Sequence, residues 1–416
     1  MSNEDTSKND LNSEGKMSRR DFLKLVGVAG TIATLPTLLP FGKIFATNGN
    51  VTTSSNNDTK TTTKITNKSH KFNLDGTPPQ VANTMGSRTM ADSRVFPILE
   101  GMAIGLLILK KGGVREPHWH PNASELGYCI SGKTAMTIFS PKNGYDRFTI
   151  DAGELSYVPI GYMHDIENIG DTDAKFLVVF NNEKPEDLGI SGSIGSMQNR
   201  VLNATFNIHP PTFFNQFNNN SPNNVVVGPK PNLLYNNEKY TRIANNHKFD
   251  LANFPPQVQT AGGTVALGNA NAFPILKGLA CYLLSFKPHG IREPHWHPNS
   301  PELNYVIEGK ARLTVFSPGG DAGSYELGHV DTFEVSAGEI AFIPQGYFHY
   351  IENINNNGNT TFAVFFGNER PEDIGLSGSF SAYSNGVLGS VFNTDPNIFN
   401  KFPRIQQDVF LVPGAG

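Results

Sequence analysis

The sequence contains an internal duplication, which limits the fold more than any other feature. Short segments recur 177 residues further along the chain: HKF at 70–72 and 247–249, PPQ at 78–80 and 255–257, and FPIL at 96–99 and 273–276. The offset becomes 185 at His164 and His349, because the second copy has a longer loop near Gly319 to Asp331. Solenoid repeats are only about 20–50 residues long, so copies of this size are whole domains.

The two domains are predicted at 70–225 and 240–400, with the boundary in an Asn- and Pro-rich stretch near 220–240. Residues 401–416 are predicted to form a C-terminal tail. The chain has 416 residues, which leaves room for two domains because single cores stop growing at about 250–300 residues.

Short apolar segments bounded by Gly, Pro, Asn or Asp predict an all-β fold in each copy. In the first copy they are 103–109, 135–139, 155–159 and 176–180. Strands that close into a barrel or jelly roll remove exposed edges and enclose a pocket, so two tandem β-barrels are predicted. Helices are expected only late in each copy, around 193–206 and 379–392.

The N-terminus carries a targeting pattern. Residues 18–24 read SRRDFLK and precede an apolar stretch at 25–46, which resembles a twin-arginine signal peptide. A membrane anchor is the alternative, but Pro36, Pro40 and Lys43 interrupt the stretch and leave about fifteen apolar residues. We predict a signal peptide at 1–46 and a disordered linker at 47–69. The resemblance implies export by the twin-arginine machinery to the periplasm or beyond the cell, with an uncleaved anchor still open.

Charge and cysteine content exclude other classes of protein. The formal net charge is −4, with no basic run beyond the N-terminus, so the chain is not expected to bind nucleic acid. Cys129 and Cys281 do not correspond between the copies, and we interpret them as buried thiols rather than a disulfide.

Each copy carries three histidines and one glutamate at matching spacing. The sets are His118, His120, Glu125 and His164, and then His295, His297, Glu302 and His349. Residues two apart in a strand face the same side, so the paired histidines are expected to point into the barrel. The glutamate and the third histidine reach the same place from later strands. This pattern predicts one divalent metal ion per domain.

The predicted ligands also favour particular metals. Three imidazoles and one carboxylate leave two positions of an octahedron open, which suits Mn²⁺ or Fe²⁺ binding a bidentate acid, whereas Zn²⁺ prefers tetrahedral closure. Mn²⁺ is the first choice, because the chain resembles substrates of the twin-arginine pathway, which fold and often load their cofactors before export. Fe²⁺ or another divalent metal stays open.

The residues around the ligands resemble both cupin signatures. In the first copy these residues are Gly112, Gly132, Gly153, Pro159, Gly161 and Asn168. Residues 70–400 are similar to bacterial and fungal bicupin oxalate decarboxylases, most closely at REPHWHPN. The resemblance implies a carbon–carbon lyase that converts oxalate to formate and CO₂ at Mn²⁺, with O₂ as co-substrate or co-catalyst. Cupins often associate through barrel faces, so a homo-oligomer is a further expectation.

The same resemblance implies catalytic residues. An arginine that holds oxalate corresponds to Arg115 and Arg292, although each would share the side of the following histidine only if the strand twists or bulges. A surface ion pair is the alternative. The proton-carrying carboxylate of a mobile lid corresponds to Glu186 or Asp187 and to Glu372 or Asp373. The lid motif Ser-Glu-Asn-Ser is absent, and these acids equally suit the first turn of a helix.

One departure from the family keeps other functions open. Leu126 and Leu303 follow the glutamate ligands where the decarboxylases have Trp, which we expect to alter the pocket wall. Oxalate oxidase, germin- or spherulin-like oxidase or dioxygenase, and a non-enzymatic storage or stress bicupin are therefore alternatives. One site could also be catalytic and the other structural.

Overall fold

A computed structural model of the chain describes residues 69–141, 144–217, 225–227, 241–242, 246–318 and 329–414. The predicted signal peptide, nearly all of the predicted linker and most of the domain boundary lie outside these residues. Within them, no helix is long and apolar enough to cross a membrane.

The first copy and the segment after it contain short strands. They are β1 (Lys71–Asn73), β2 (Val81–Asn83), β3 (Gly86–Ala91), β4 (Ala103–Leu109), β5 (Gly113–Trp119), β6 (Glu125–Ser131), β7 (Lys133–Ser140), β8 (Gly144–Asp151), β9 (Glu154–Val158), β10 (Met163–Asn168), β11 (Ala174–Phe180), β12 (Leu188–Gly189), β13 (Val225–Val227) and β14 (Thr241–Arg242).

The second copy repeats the order of β1 to β13, and its last strand corresponds to β13 because each pairs with the strand that carries an arginine of the centre. Its strands are β15 (Lys248–Asp250), β16 (Val258–Thr260), β17 (Gly263–Gly268), β18 (Ala280–Phe286), β19 (Gly290–Trp296), β20 (Glu302–Glu308), β21 (Lys310–Ser317), β22 (His329–Ser336), β23 (Glu339–Ile343), β24 (Phe348–Asn353), β25 (Thr360–Phe366), β26 (Ile374–Gly375) and β27 (Leu411–Pro413). Most of the longer loop predicted near 319–331 lies outside the described residues, but residues 329–331 begin β22 rather than belong to a loop.

A few short helices follow each set of strands, as predicted. They are α1 (Ile190–Gly195), α2 (Asn199–Phe206), α3 (Leu376–Ala382) and α4 (Asn385–Phe392), with 3-10 helices at Pro211–Phe217 and Pro396–Lys401. Each predicted helical range contains parts of two helices, because the chain is extended at Gln198 and at Ser384.

Two sheets face each other in each copy. The first barrel consists of β15-β9-β6-β11-β4-β3-β2 and β12-β5-β10-β7-β8-β14, with β13 beside β5. The second consists of β1-β23-β20-β25-β18-β17-β16 and β22-β21-β24-β19-β26, with β27 beside β19. The predicted all-β architecture of two tandem barrels is thereby confirmed.

The two barrels exchange their first strands. β1 comes from the first copy but pairs with β23 of the second, and β15 comes from the second copy but pairs with β9 of the first. His70 and His247 anchor the exchanged segments, each with its Nδ1 donating over 2.8 Å to the carbonyl of Phe342 and of Tyr157. Neither barrel is therefore built only from the residues predicted for it.

The main apolar cluster lies between the barrels. It contains Leu126, Tyr157 and Leu177 from the first copy and Leu303 and Phe342 from the second. Adjacent side chains on a strand face opposite sides, so Glu125 faces the first barrel's interior while Leu126 faces the other barrel. The expectation that Leu126 and Leu303 form the pocket wall is wrong. Both belong to the contact between domains.

The predicted C-terminal tail is part of the second barrel. β27 pairs with β19, and Leu411 is buried. Asp408 accepts hydrogen bonds from the backbone amides of Gly375 and Gly378, at 2.8 and 3.0 Å. Residues 408–413 therefore hold the start of α3 against the mouth of the second barrel.

Candidate metal centres

The eight predicted ligands form two groups, one in each barrel. The first centre contains His118, His120, Glu125 and His164, and the second contains His295, His297, Glu302 and His349. In each group the potential ligand atoms lie within 4.8 Å of one another, and all four residues are buried. His118 and His164 lie in strands of one sheet, as do His295 and His349, whereas His120 and His297 directly follow β5 and β19. The glutamate of each set belongs to the facing sheet, so each centre lies between the two sheets of its barrel.

The two centres have nearly the same dimensions. In the first, His120 Nε2 and His164 Nε2 lie 3.1 and 3.5 Å from Glu125 Oε2. In the second, the corresponding distances to Glu302 Oε2 are 2.7 Å for His297 and 3.3 Å for His349. The site geometry is thus duplicated along with the sequence.

Backbone carbonyls orient all six imidazoles. His118, His120 and His164 donate from Nδ1 to the carbonyls of Glu116, Glu186 and Tyr162, at 2.7, 2.7 and 3.0 Å. The second centre has the same bonds, to the carbonyls of Glu293, Glu372 and Tyr347. With the proton held on Nδ1, each Nε2 presents its lone pair to the centre, as metal-binding histidines require.

Several polar atoms at the centres have no hydrogen-bond partner among the described residues. They are His164 Nε2, Glu125 Oε1 and His349 Nε2. An unpaired buried polar atom destabilises a fold unless another group satisfies it. These atoms are of the types that bind Mn²⁺, Fe²⁺ or Zn²⁺, so the residues fit a divalent metal ion.

The charges of the centres also favour metal binding. Burial, reinforced by Arg115, holds the pKa of His118 well below its usual value, and burial with Arg292 does the same for His295. Burial alone would raise the pKa of Glu125 and Glu302, but the neighbouring histidines outweigh it and hold both values well below the usual range. Neutral imidazole and ionised carboxylate are the forms that bind metals. His297 differs from His118 and His295, because Glu302 outweighs burial and raises its pKa.

A bulge in β5 and in β19 brings an arginine to each centre. His118 lies opposite His164, whereas Arg115, three residues earlier, lies opposite Ile166, only two residues later. The extra residue turns Arg115 to the same side as His118. β19 has the same shift between Arg292 and His295. The condition for the predicted placement of both arginines is therefore met.

The structure separates the two carboxylates proposed for each lid. Asp187 accepts a hydrogen bond from Arg115, and Asp373 accepts one from Arg292. Glu186 and Glu372 are exposed, and only their backbone carbonyls contact the centres. Burial would raise the pKa of Asp187, but Arg115 and Arg88 outweigh it and hold the pKa below its usual value. Asp373 lines the cavity of the second centre, and Asp187 is bonded to the two arginines that line the cavity of the first.

Each lid segment closes over its centre. β12 pairs with β5 at His118 and Trp119, and Ser191 of α1 donates its backbone amide to the buried Glu116. Ser377 of α3 donates to Glu293 in the same way. The cavity beside each centre measures about 20 Å³, which is room for about one water molecule. Neither cavity, as it stands, has room for a larger ligand.

Comparison with known proteins agrees with this arrangement. The family model described as cupin matches residues 72–213 and again 249–399. The chain belongs to the cupin family. Its two matches make it a bicupin, with one complete set of candidate ligands in each cupin domain.

Among curated proteins, this cupin is similar to oxalate decarboxylases. A probable oxalate decarboxylase of Arthroderma benhamiae is 26% identical over 323 residues, which cover 75% of this chain and 76% of the relative. An oxalate decarboxylase of Bacillus subtilis is 29% identical over 298 residues, which cover 68% and 72% of the two chains. Spherulin-1A of Physarum polycephalum is 27% identical over 151 residues, which cover 35% of this chain and 61% of the relative.

Solved structures agree on the fold. The oxalate decarboxylase of Bacillus subtilis at pH 4.6 superposes with a TM-score of 0.73 at 24% identity, covering 83% of this cupin and 87% of that chain. A second structure of that enzyme, described for its Mn(II) centres, has a TM-score of 0.72 at 24% identity and covers 83% and 89% of the two chains.

Sequence reasoning missed three residues at the centres. Arg88 donates to Asp187 at the first centre, and Phe410 lies against Arg292 at the second. Asn304 donates to Glu302 Oε1 over 2.7 Å. None of the three belongs to the signature motifs. The only signal in the sequence is that the copies differ there, with Arg88 matched by Val265 and Asn304 by Gly127.

Proposed function

We propose that this bicupin is a Mn²⁺-dependent oxalate decarboxylase-like lyase that converts oxalate to formate and CO₂. The observation that carries the proposal is the arrangement of both centres, in which a complete three-His, one-Glu set faces an arginine and an aspartate. The names of the relatives from Arthroderma benhamiae and Bacillus subtilis support the choice of substrate, and the Mn(II) centres of the Bacillus subtilis enzyme support the choice of metal. A storage role would not require these sets to be intact.

The residues of the chain have distinct tasks in this reaction. Bound Mn²⁺ would supply a Lewis-acidic, redox-active centre for the oxygens of oxalate. Arg115 binds a substrate carboxylate through charge-assisted hydrogen bonds. The closed lid excludes water, which strengthens these electrostatic contacts.

Asp187 is the group that moves the proton. Decarboxylation of oxalate monoanion breaks the carbon–carbon bond and releases CO₂, and the remaining carbon must receive the acid proton to become formate. Of the described carboxylates outside the ligand set, Asp187 is the one bonded to Arg115 at the pocket. It is placed to accept the proton of the substrate and to return it to carbon.

Oxalate oxidation is the second candidate. The Ser-Glu-Asn-Ser lid motif is absent, and the relatives include germin-like proteins as well as spherulin. In that reaction oxalate gives two CO₂, and O₂ takes up two electrons and two protons to become hydrogen peroxide. The two reactions differ in whether a proton returns to carbon.

A comparison of two neighbouring variants tests the proposal. We expect Asp187→Asn to reduce formate production at least 100-fold, with hydrogen peroxide as the remaining product. Glu186→Gln is the matched control, and its formate production should stay within about twofold of wild type because Glu186 is exposed. Equal activity of Asp187→Asn and wild type would contradict the role of Asp187. Failure of wild type to consume oxalate would contradict the function.

We also propose export by the twin-arginine route, supported by the SRRDFLK segment. Replacing Arg19 and Arg20 with Lys should retain the protein in the cytoplasm of its host. Unchanged export of this variant would contradict the proposal.

A further inference from the structure

Arg88 gives the first centre a second guanidinium. It lies in β3, opposite Leu107 of β4, and lines the cavity with Arg115 and the ligands. Arg88 Nη1 donates to Asp187 Oδ2 over 2.7 Å, and Arg115 Nη2 donates to the same oxygen. Two arginines thus hold one oxygen of one carboxylate beside the ligands.

Arg88 and Arg115 can donate more hydrogen bonds than Asp187 accepts. Arg88 Nε and Asp187 Oδ1 are both buried and make no hydrogen bond with the described residues. A guanidinium is a planar fork that can bind both oxygens of a carboxylate. Asp187 therefore indicates where a carboxylate binds and leaves donor capacity unused.

The second centre lacks this arginine. Val265 occupies the equivalent place in β17, opposite Leu284 of β18, and lines the second cavity. Each centre has one ligand glutamate, one aspartate and one arginine, so Arg88 makes the first centre more positive by one charge.

We propose that Arg88 makes the first centre the dicarboxylate site, whereas the second centre, with Val265, takes a monocarboxylate. The inference rests on the proposed function and specifies which centre binds oxalate, as the dianion that is left once Asp187 has accepted the proton of the monoanion. With the same metal ion in both centres, the additional positive charge balances the second carboxylate, because buried charges are stable only when paired. The cavity is too small for an acid beside a closed lid, so the ligand replaces Asp187 on Arg88 and Arg115.

Equilibrium binding to the full-length Mn²⁺-loaded protein tests this proposal. Oxalate and formate are titrated calorimetrically without O₂, so that affinity is measured without oxygen-dependent turnover. Arg88→Val introduces the residue of the second copy and should weaken oxalate binding at the first centre about 10- to 100-fold, the loss expected for a charged hydrogen bond. Formate affinity should change less than threefold, and Arg88→Lys should restore part of the oxalate affinity.

The reciprocal variant provides an independent test. Val265→Arg should add a second tight oxalate site per chain, and it decides the question if Arg88→Val fails to fold or to bind metal. Equal weakening of oxalate and formate by Arg88→Val would mean that Arg88 only positions Asp187, and would overturn the proposal. Unchanged oxalate affinity in both variants would also overturn it.

The two proposals fail in different ways. Oxalate binding that depends on Arg88, without formate production, would contradict decarboxylation and support the dicarboxylate site. Formate production by Arg88→Val with an unchanged KM for oxalate would contradict the role of Arg88 and leave decarboxylation standing.

Discussion

At the scale of single residues, the orientation of the imidazoles prepares the centres for metal. Each histidine ligand donates its Nδ1 proton to a backbone carbonyl, which leaves Nε2 for a metal ion. The carboxylates differ more than the histidines do. Asn304 fixes Glu302 in the second centre, whereas Glu125 Oε1 has no hydrogen-bond partner among the described residues. Oε1 of the ligand glutamate is therefore held by a hydrogen bond in the second centre but not in the first.

Removing one glutamate ligand should empty one centre only. We expect Glu125→Ala and Glu302→Ala each to lower bound Mn²⁺ from about two ions per chain to about one, because each centre has its own ligands. Metal analysis of the purified variants measures this loss. Glu308→Ala is the control, since Glu308 lies on the same strand as Glu302 but is exposed. Loss of both ions from either single variant would contradict independent centres.

At the scale of elements, short segments with little apolar surface determine how the centres are closed. β12 and β26 are two residues long, yet they place Asp187 and Asp373 against the arginines. β1 and β15 are three residues long and join each barrel to the other. Their pairing depends on anchoring contacts such as those of His70 and His247.

The anchor at His247 should make stability depend on pH. Burial holds the pKa of His247 below its usual value, so the folded chain binds this proton less readily than the unfolded chain. Its contribution is complete above the unfolded pKa of about 6.5 and is lost as the pH falls below it. We expect wild type to lose thermal stability relative to His247→Asn between pH 7.5 and 5. A difference in Tm that does not change over this range would contradict the prediction.

These short elements also mark the limit of what the sequence predicts. The ligands and the two barrels followed from fixed spacing and from strand-sized apolar segments, because both are local features. The partner of β1 could not be predicted, since HKF is identical at 70–72 and 247–249 and pairing depends on tertiary contacts. The role of the last residues was missed for the same reason, because β27 and Phe410 come more than 100 residues after Arg292.

At the scale of the whole molecule, shared packing and exchanged strands connect the two barrels, and we expect them to unfold together. The apolar cluster between them includes fully buried residues from both copies, and the exchanged strands add backbone pairing. β6 and β20 are buried on both faces, one toward a metal centre and one toward the other barrel. The packing between domains therefore supports the strands that carry Glu125 and Glu302.

Leu303→Ala should destabilise both barrels together. Leu303 is fully buried in the cluster between domains, and loss of such a side chain costs about 2–5 kcal/mol. We expect calorimetry at fixed metal content to show one thermal transition, at a lower temperature than that of wild type. Two separated transitions would contradict the cooperative interface.

The product balance of oxalate turnover tests the central claim most directly. Protein with Mn²⁺ in both centres is given carbon-13-labelled oxalate in the presence of O₂ at mildly acidic pH, and labelled products are quantified by NMR and gas analysis. The account predicts one formate and one CO₂ for each oxalate consumed. Oxalate left unconsumed by fully loaded protein, or two CO₂ with hydrogen peroxide and no formate, would contradict it.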